Sequence, residues 1–412
     1  MSQPKDGAPY RRALVAGGGI GGLAAALACG RAGWQVQLFE RAPAFGEVGA
    51  GIQIGPNVTR VLAHWGLSEA LSQVAAFPTH LQVRSARSGD ELAVLPLGAE
   101  AVARYGAPYA TIHRADLHQL LLQAVHAQGR AQLHLDATLG SFTQNQAEVR
   151  VQTQRGGSHT GDLLVGADGL WSAVRQWLLD DGMPRVTGHL AYRAMVPQAT
   201  LPERLRSQHV TVWMGPRLHL VQYPVRQGQW LNVVGILQAG LPVQPDGPPL
   251  QAEGWDLNAD AASLQAALTG AAGPLQELVR AIAHWRMWVL CDRTPMAHPR
   301  QHARGRVALL GDAAHPMRPY LAQGAGMAIE DAAELGSLLA GAQDDLPVQL
   351  HRYAERRWQR NRRVQERAIR NGRIFHAEGL VQWGRDRALQ LLGRRLIDVP
   401  WLYGYGLPPT PN

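Results

Sequence analysis

Three glycines and one acidic residue near the amino terminus have the spacing of a phosphate-binding turn. Gly17, Gly19 and Gly22 form a G-x-G-x-x-G pattern, and Glu40 stands at the end of the next apolar run. The first glycine allows a tight turn, the second lets a pyrophosphate approach the backbone, and the third lets a helix pack closely on a strand. The acid can accept hydrogen bonds from ribose hydroxyls. This pattern predicts a dinucleotide site, and both NAD and FAD satisfy it.

Two later stretches place an aspartate in the turn after a buried strand. Asp168 lies in "LLVGADG" and Asp312 in "ALLGDAAHP". Asp168 can cap the helix that follows, as in an ordinary strand-to-helix turn, or it can contact a ligand. A helix that begins near Gly324 would direct free N–H groups and a positive dipole end toward a bound group.

A histidine and a tyrosine share one face of a strand in the middle of the chain. In "RLHLVQYPV", His219, Val221 and Tyr223 alternate with residues of the opposite face. A histidine and a tyrosine on one face of a sheet could line a polar pocket. The same alternation also fits two surface residues of a sheet, and the spacing leaves both interpretations open.

The elements that must position these residues alternate between two architectures. Residues 13–16, 20–31 and 36–39 read as the strand, helix and strand of a βαβ unit. From 188 to 237 the apolar residues alternate with period 2 between turns, which predicts an antiparallel sheet. The α/β pattern returns from 285 onward. We therefore expect an α/β fold with an inserted antiparallel sheet.

Charge and cysteine usage argue against several other classes of protein. The formal net charge is +8, but the only lysine is Lys5 and no DNA- or RNA-reading motif accompanies the arginines. The basic run over 356–373 is predicted to be a solvated or interface helix. Cys29 and Cys291 lie in no CxxC pattern or Cys/His cluster, so we expect no metal site and a reducing, cytoplasmic location.

The amino-terminal apolar run could be mistaken for a targeting or membrane segment. "RRALVAGGGIGGLAAALACG" has two arginines before a long apolar stretch, as in a twin-arginine signal or a membrane span. The glycine pattern and the strand-like "WQVQLFER" that follows argue against both. We expect no transmembrane segment.

The three motifs in this order resemble the single-component FAD-dependent aromatic hydroxylases, the para-hydroxybenzoate hydroxylase family, over roughly 12–373. This resemblance implies a Rossmann-like FAD-binding domain, an inserted antiparallel β-sheet domain for the substrate and a C-terminal helical segment. The implied bounds are 1–78, 104–185 and 285–375 for the FAD-binding domain, 79–103 and 186–284 for the substrate domain, and 376–412 for the C-terminal helical segment and tail.

The resemblance also assigns roles to individual residues. The catalytic set would be His219 as base, Tyr223 as orienting group or proton relay, and Gln323 as a ligand for the substrate hydroxyl or carboxylate. Gln53 lies where the hydroxynicotinate enzymes carry a histidine. The implied cofactor-binding residues are Gly17, Gly19, Ile20, Gly21, Gly22, Glu40, Arg41, Gln53, Arg114, Asp168, Gly169, Asp312, Pro319, Gln323, Gly324 and Ala325.

The activity implied is monooxygenation with FAD as cofactor, NADH or NADPH as cosubstrate and O2, through a flavin C4a-hydroperoxide. The stretches "GAGIQIGPN" and "GPRLHLVQYPV" are most similar to the 3-hydroxybenzoate 6-hydroxylases, with salicylate 1-hydroxylases and 6-hydroxynicotinate 3-monooxygenases as neighbours. The lead expectation is conversion of 3-hydroxybenzoate, a small aromatic acid, to gentisate. The alternatives are a flavin reductase or oxidase on the same fold, and a basic nucleic-acid- or lipid-binding protein with structural FAD. A homodimer is compatible with the resemblance.

Overall fold

The computed structural model describes residues 11–46, 49–239, 257–259 (backbone only), 261–341 and 345–406. Within these residues the strands are β1 (Arg12–Ala16), β2 (Gln35–Phe39), β3 (Gly51–Ile54), β4 (His80–Ser85), β5 (Glu91–Pro96), β6 (Ala110–His113), β7 (Ala131–His134), β8 (Leu139–Gln144), β9 (Val149–Thr153), β10 (Ser158–Gly161), β11 (Leu163–Gly166), β12 (Arg185–Pro197), β13 (Val210–Gly215), β14 (Leu218–Val225), β15 (Trp230–Gln238), β16 (Leu257–Ala259), β17 (Trp285–Asp292), β18 (Ala303–Arg304) and β19 (Val307–Leu309).

The helices of the same residues are α1 (Ile20–Arg31), α2 (Pro56–His64), α3 (Ser68–Val74), α4 (Gly98–Tyr105), α5 (Arg114–Gln128), α6 (Ala173–Leu179), α7 (Ala262–Ala267), α8 (Gly273–Arg280), α9 (Gly324–Leu339), α10 (Leu346–Phe375), α11 (Gly379–Leu392), α12 (Arg394–Ile397) and α13 (Pro400–Tyr403). The C-terminal segment predicted from 376 onward is helical as far as α13. Its tail, 407–412, lies outside the described residues.

A six-stranded sheet carries the nucleotide-binding motif. Its order is β18-β19-β11-β1-β2-β7, and the pairs β1–β2, β1–β11 and β11–β19 are parallel. The central strand β1 is buried from Ala13 to Ala16, as expected for a parallel strand covered on both faces. The predicted βαβ unit of β1, α1 and β2 is confirmed. Because β11 lies between β1 and β19 and all three strands are parallel, the turns that follow them lie at the same edge of the sheet.

An eight-stranded sheet forms the second layer, with the order β16-β17-β12-β15-β14-β13-β4-β5. The antiparallel pairs β12–β15, β14–β15 and β13–β14 confirm the sheet predicted over 188–237. The sequence interpretation placed residues from 285 onward with the first sheet, and for β17 this is wrong. Apolar strand character alone does not tell which sheet a strand joins, and β17 pairs antiparallel with β12.

Helix α10 is anchored by charged side chains that the sequence interpretation placed in solvent. Arg357 is fully buried and pairs with Glu330 at 2.9 Å and with Asp331 at 2.7 Å, both from α9. The prediction of a solvated or interface helix over 356–373 is therefore wrong for this face, because carboxylates of a neighbouring helix compensate the buried charge. Among the described residues, no helix combines the length and the apolar character that a membrane span requires.

Candidate active site

The first part of the site is a cavity of about 340 Å³ around the amino-terminal glycine turn. The β1–α1 turn, the end of β2 and the β11–α6 turn form its walls. Glu40 accepts the backbone N–H of Gly18 at 2.6 Å and that of Ala42 at 2.8 Å. These bonds fix the carboxylate at the cavity wall, where it can also accept hydrogen bonds from ribose hydroxyls.

Two of the predicted glycines are required by close contacts within the turn. Gly17 has a φ of +96°, and a Cβ on it would lie 2.5 Å from the carbonyl oxygen of Ala167. A Cβ on Gly22 would lie 1.8 Å from the carbonyl oxygen of Gly17. Gly22 lines neither this cavity nor the second cavity described below, and it packs against the backbone of the turn instead. The absence of side chains here leaves backbone N–H groups accessible to a phosphate.

Asp168 has the capping role that was one of the two interpretations left open by the sequence. Its carboxylate accepts hydrogen bonds from Ser172 Oγ at 2.5 Å and from the backbone N–H of Val174 at 3.1 Å, so it stabilises the start of α6. Burial raises the pKa of Asp168, and these hydrogen bonds oppose that shift. The residue also lines the first cavity, and ligand contact by Asp168 stays a prediction.

The side chain of Arg175 connects the motif after β11 with the motif after β19. Its buried guanidinium donates to the carbonyl oxygens of Ala313 at 3.1 Å and Ala314 at 2.7 Å, and it pairs with Asp181 at 2.5 Å. The turn that contains Asp312 is thus held against the turn that contains Asp168. His315 is paired with the buried Asp331, which fits a structural part in the same loop.

The second part of the site is a cavity of about 310 Å³ between the two large sheets. Gly19 and Gly169 line both cavities, which therefore adjoin. Asp312 lies in its wall, where burial raises the pKa of the carboxyl group and the charge of Arg114 opposes the shift. The predicted residues in its lining are Gly19, Ile20, Gly21, Gln53, Arg114, Gly169, His219, Tyr223, Asp312, Pro319, Gln323, Gly324 and Ala325.

The adjoining cavities fit an extended dinucleotide such as FAD, with one half in each. Gly17, Glu40, Arg41 and Asp168 line the first cavity together with Trp171. The buried Trp171 Nε1 has no hydrogen-bond partner among the described residues, so it is a donor that a bound group can satisfy. At the far end, helix α9 begins at the wall of the second cavity.

His219 belongs to a buried cluster of three histidines and two other aromatic rings. Its Nδ1 lies 2.8 Å from His376 Nε2, and His189 Nδ1 is hydrogen-bonded to the hydroxyl of Tyr320. Phe375 packs edge-on against His219. Burial lowers the pKa of His219 well below its ordinary value, and the neighbouring His376 and His189 lower it further. The imidazole is therefore neutral near pH 7, and its Nδ1 is engaged by His376.

Tyr223 and Gln53 meet on another wall of the second cavity. Tyr109 donates its hydroxyl to Gln53 Oε1 at 2.6 Å, and the Gln53 side chain is also hydrogen-bonded to Tyr223. Burial raises the pKa of Tyr223, so its hydroxyl stays protonated near pH 7. The prediction that His219, Val221 and Tyr223 share a face is confirmed, because all three line this cavity.

Sequence reasoning missed the other four members of the histidine cluster, of which Phe375 is the last residue of α10. His189 lies on β12, Tyr320 in the turn before α9, and His376 at the end of α10. None of the three lies in a recognisable spacing pattern with His219. The one available signal was the presence of histidines on strands and helix ends that the fold brings together, and only the sheet order reveals that proximity.

The fold and the two cavities define a dinucleotide-binding α/β protein with a second, mostly antiparallel sheet that lines one cavity. The chain belongs to the FAD binding domain family, whose pattern matches residues 11–368. FAD is therefore the cofactor that the site serves.

Full-length relatives and solved structures share this organisation. The chain is 37% identical over 399 residues to the 3-hydroxybenzoate 6-hydroxylase of Polaromonas naphthalenivorans (strain CJ2), covering 96% of each chain. It is 35% identical over 407 residues to the 6-hydroxynicotinate 3-monooxygenase of Bordetella bronchiseptica (strain ATCC BAA-588 / NCTC 13252 / RB50), covering 97% of this chain and 96% of that one. A salicylate hydroxylase substrate complex has a TM-score of 0.80 at 26% identity, covering 97% of this chain and 96% of that one.

Proposed function

We propose that this protein is an FAD-dependent monooxygenase that uses NAD(P)H and O2 to hydroxylate a small phenolic aromatic acid. The lead substrate is 3-hydroxybenzoate, converted to gentisate by hydroxylation at C6. One observation carries the proposal: His219, Tyr223 and Gln323 converge on the same cavity that the cofactor-binding turns line. The similarity to the Polaromonas 3-hydroxybenzoate 6-hydroxylase supports the choice of substrate.

The residues that would hold FAD are the glycine turn, Glu40, Asp312 and the start of α9. When bound, FAD supplies the redox chemistry, namely hydride acceptance from NAD(P)H and activation of O2. Helix α9 begins at Gly324, and its first free N–H groups and positive dipole end favour negative charge at that end of the cavity. The protein thereby contributes orientation and electrostatics to the reaction.

His219 is proposed as the group that takes the proton from the substrate hydroxyl. In the tautomer suited to this step, His219 donates its Nδ1–H to His376 Nε2 and keeps the lone pair of Nε2 free for the substrate. The O–H bond of the phenol breaks, a new N–H bond forms at Nε2, and the ring becomes more nucleophilic. Tyr223, protonated near pH 7, would orient the substrate by donating its hydroxyl.

Product analysis of the FAD-loaded enzyme tests this function. NADH and NADPH oxidation would be followed with 3-hydroxybenzoate, other monohydroxybenzoates, salicylate and 6-hydroxynicotinate, and the products identified. We expect gentisate in nearly equal amount to the NAD(P)H consumed. His219→Asn, which retains a polar group near the Nδ1 position, should lower the rate with 3-hydroxybenzoate. Unchanged turnover of this variant across pH would exclude the base role.

Two neighbouring substrates have specific support. The relative from Bordetella is named for 6-hydroxynicotinate, and a solved neighbour is a salicylate hydroxylase. In the same assay, a hydroxylated pyridine would select 6-hydroxynicotinate as the substrate, and catechol would select salicylate. Peroxide without a hydroxylated ring would instead indicate an oxidase. Salt-dependent binding to DNA or anionic vesicles, without substrate-stimulated NAD(P)H oxidation, would favour the basic binding protein.

We also propose a division of labour between the two large sheets. The six-stranded sheet and its helices would hold FAD, and the eight-stranded sheet would cover the substrate, since His219 and Tyr223 both lie on its strand β14.

A cytoplasmic location is supported by the two cysteines, Cys29 and Cys291, which are both free. A homodimer is proposed as well, and size-exclusion chromatography with light scattering tests it.

A further inference from the structure

The orientation of the Gln323 side chain is determined by a buried ion cluster behind the cavity. Glu330 is buried on α9, and its carboxylate accepts from Arg357 at 2.9 Å and from Arg360 at 2.7 Å. Burial alone would raise the pKa of Glu330, but the two arginines hold it below its ordinary value. Glu330 is therefore ionised, and an ionised carboxylate can only accept hydrogen bonds.

Because Glu330 can only accept hydrogen bonds, it fixes the side-chain orientation of Asn57, a buried residue on α2. The Asn57 side chain lies 2.7 Å from Glu330 Oε1, so the group that faces Glu330 must be the amide NH2. The same nitrogen lies 3.0 Å from the side-chain amide of Gln323. Since Asn57 Nδ2 is a donor, the Gln323 atom that meets it must be the carbonyl oxygen Oε1.

With Oε1 engaged by Asn57, the Nε2 group of Gln323 is left for the cavity that Gln323 lines. We propose that Asn57 is a positioning residue, which holds the Gln323 amide with its NH2 group toward the substrate and so selects a ring that carries an anionic oxygen. Asn57 itself does not line the cavity. This proposal rests on the proposed function for the identity of the ring, and it adds the basis of recognition: a carboxylate or phenolate oxygen meets a fixed donor.

The wall at Tyr223 follows the same pattern. Gln53 receives the hydroxyl of Tyr109 at its Oε1, which leaves the Gln53 NH2 group to donate to Tyr223. The Tyr223 oxygen then accepts from Gln53, and its O–H can point into the cavity. Two independent hydrogen-bond chains thus present donors to one ligand, which suits an aromatic acid better than its neutral amide.

The experiment is a binding titration on FAD-loaded enzyme without NAD(P)H, following the flavin absorbance. The probes are 3-hydroxybenzoate and its neutral analogue 3-hydroxybenzamide. Asn57→Leu removes the donor at similar volume. We expect the affinity for the acid to fall about ten- to hundredfold, as for a lost hydrogen bond to a charged group, with a far smaller change for the amide.

Asn361→Leu is the matched control, because Asn361 is hydrogen-bonded to Asp331 at 3.0 Å and to Arg357 at 3.1 Å in the same ion cluster, whereas the hydrogen bond to Gln323 comes from Asn57. It should retain the preference for the acid. If Asn57→Leu does not fold, Gln323→Glu replaces the donor by an oxygen of the same shape and should abolish the preference.

Three outcomes decide the matter. Loss of acid preference in Asn57→Leu and its retention in Asn361→Leu support the proposal. A folded, FAD-loaded Asn57→Leu with the unchanged preference overturns it. The proposal is also overturned if the wild-type enzyme does not prefer 3-hydroxybenzoate to 3-hydroxybenzamide. Failure of the proposed function is read separately, from the absence of any hydroxylated product.

Discussion

The buried histidine cluster predicts a specific loss of stability in mild acid. Burial lowers the pKa of His376 to about 3 with help from His189 and Arg385, and burial with the charge of Arg318 lowers the pKa of His189 to about 4. In the unfolded chain these side chains titrate near pH 6.5. Between the folded and the unfolded pKa the unfolded chain binds more protons, so stability falls as the pH is lowered through this window.

The magnitude follows from the two pKa values of one side chain. When the pH falls from about 7 to about 5, His376 becomes protonated in most unfolded molecules and in almost no folded ones. This difference lowers the free energy of unfolding by about 2 kcal/mol. His189 contributes a similar amount if it titrates independently. The two rings stack with centroids 5.3 Å apart, so their contributions are coupled and the single substitution is the cleaner test.

The assay is urea unfolding at several pH values, followed by circular dichroism with FAD held in saturating excess. His376→Gln keeps a polar group near the position of Nε2, which is the atom bonded to His219. The variant is expected to be less stable at pH 7 but to lose about 2 kcal/mol less than the unchanged protein on going to pH 5. The matched control is His64→Gln, because His64 lies exposed at the end of α2.

Parallel stability curves for His376→Gln and the unchanged protein between these pH values would refute the reasoning. They would mean that His376 takes up its proton in the folded state as readily as in the unfolded chain. A slope that changes equally in His64→Gln would refute it too, since the effect would then not come from burial in the cluster.

Two further predictions compare matched substitutions. Gly22→Ala should weaken FAD retention by about tenfold or more, because its Cβ would collide with the carbonyl oxygen of Gly17. Gly384→Ala, where the added Cβ meets open space, should retain FAD. The ratio of flavin to protein absorbance after gel filtration measures the difference, and equal ratios for the two variants would contradict the prediction. Arg357→Leu should cost about 3–5 kcal/mol and Arg362→Leu on the same helix at most about 1 kcal/mol, since only the first removes a buried cation that two buried carboxylates, Glu330 and Asp331, share. Urea unfolding at pH 7 measures the difference, and similar losses would count against it.

Sequence reasoning was strongest where one local pattern determines one structure. The βαβ unit was predictable because the glycines at 17, 19 and 22 report a tight turn, and α1 spans the same residues in the sequence prediction and in the structure. The antiparallel sheet around β14 was predictable because its side chains alternate between two faces. The face shared by His219 and Tyr223 followed directly from that alternation.

The parts that escaped prediction depend on contacts between distant residues. Strand β17 has the apolar character of either sheet, and only its pairing with β12 assigns it. Arg357 resembles its exposed neighbours in sequence, and its burial depends on the carboxylates of α9. Asn57 ends the stretch "GAGIQIGPN" but was assigned no role there, and His376 lies in no motif. The part that each plays depends on side chains that it meets across the fold.

The hydrogen bond between His219 and His376 has a consequence for the order in which the protein is made. The two residues are 157 positions apart in the chain, so at a synthesis rate of about 5 to 20 residues per second, roughly 8 to 30 s separate their appearance from the ribosome. Strand β14 can join its sheet during that interval, but the wall that buries His219 is missing until α10 docks. A nascent chain can therefore form its glycine turn early, while the second cavity is enclosed only after α10 has been made.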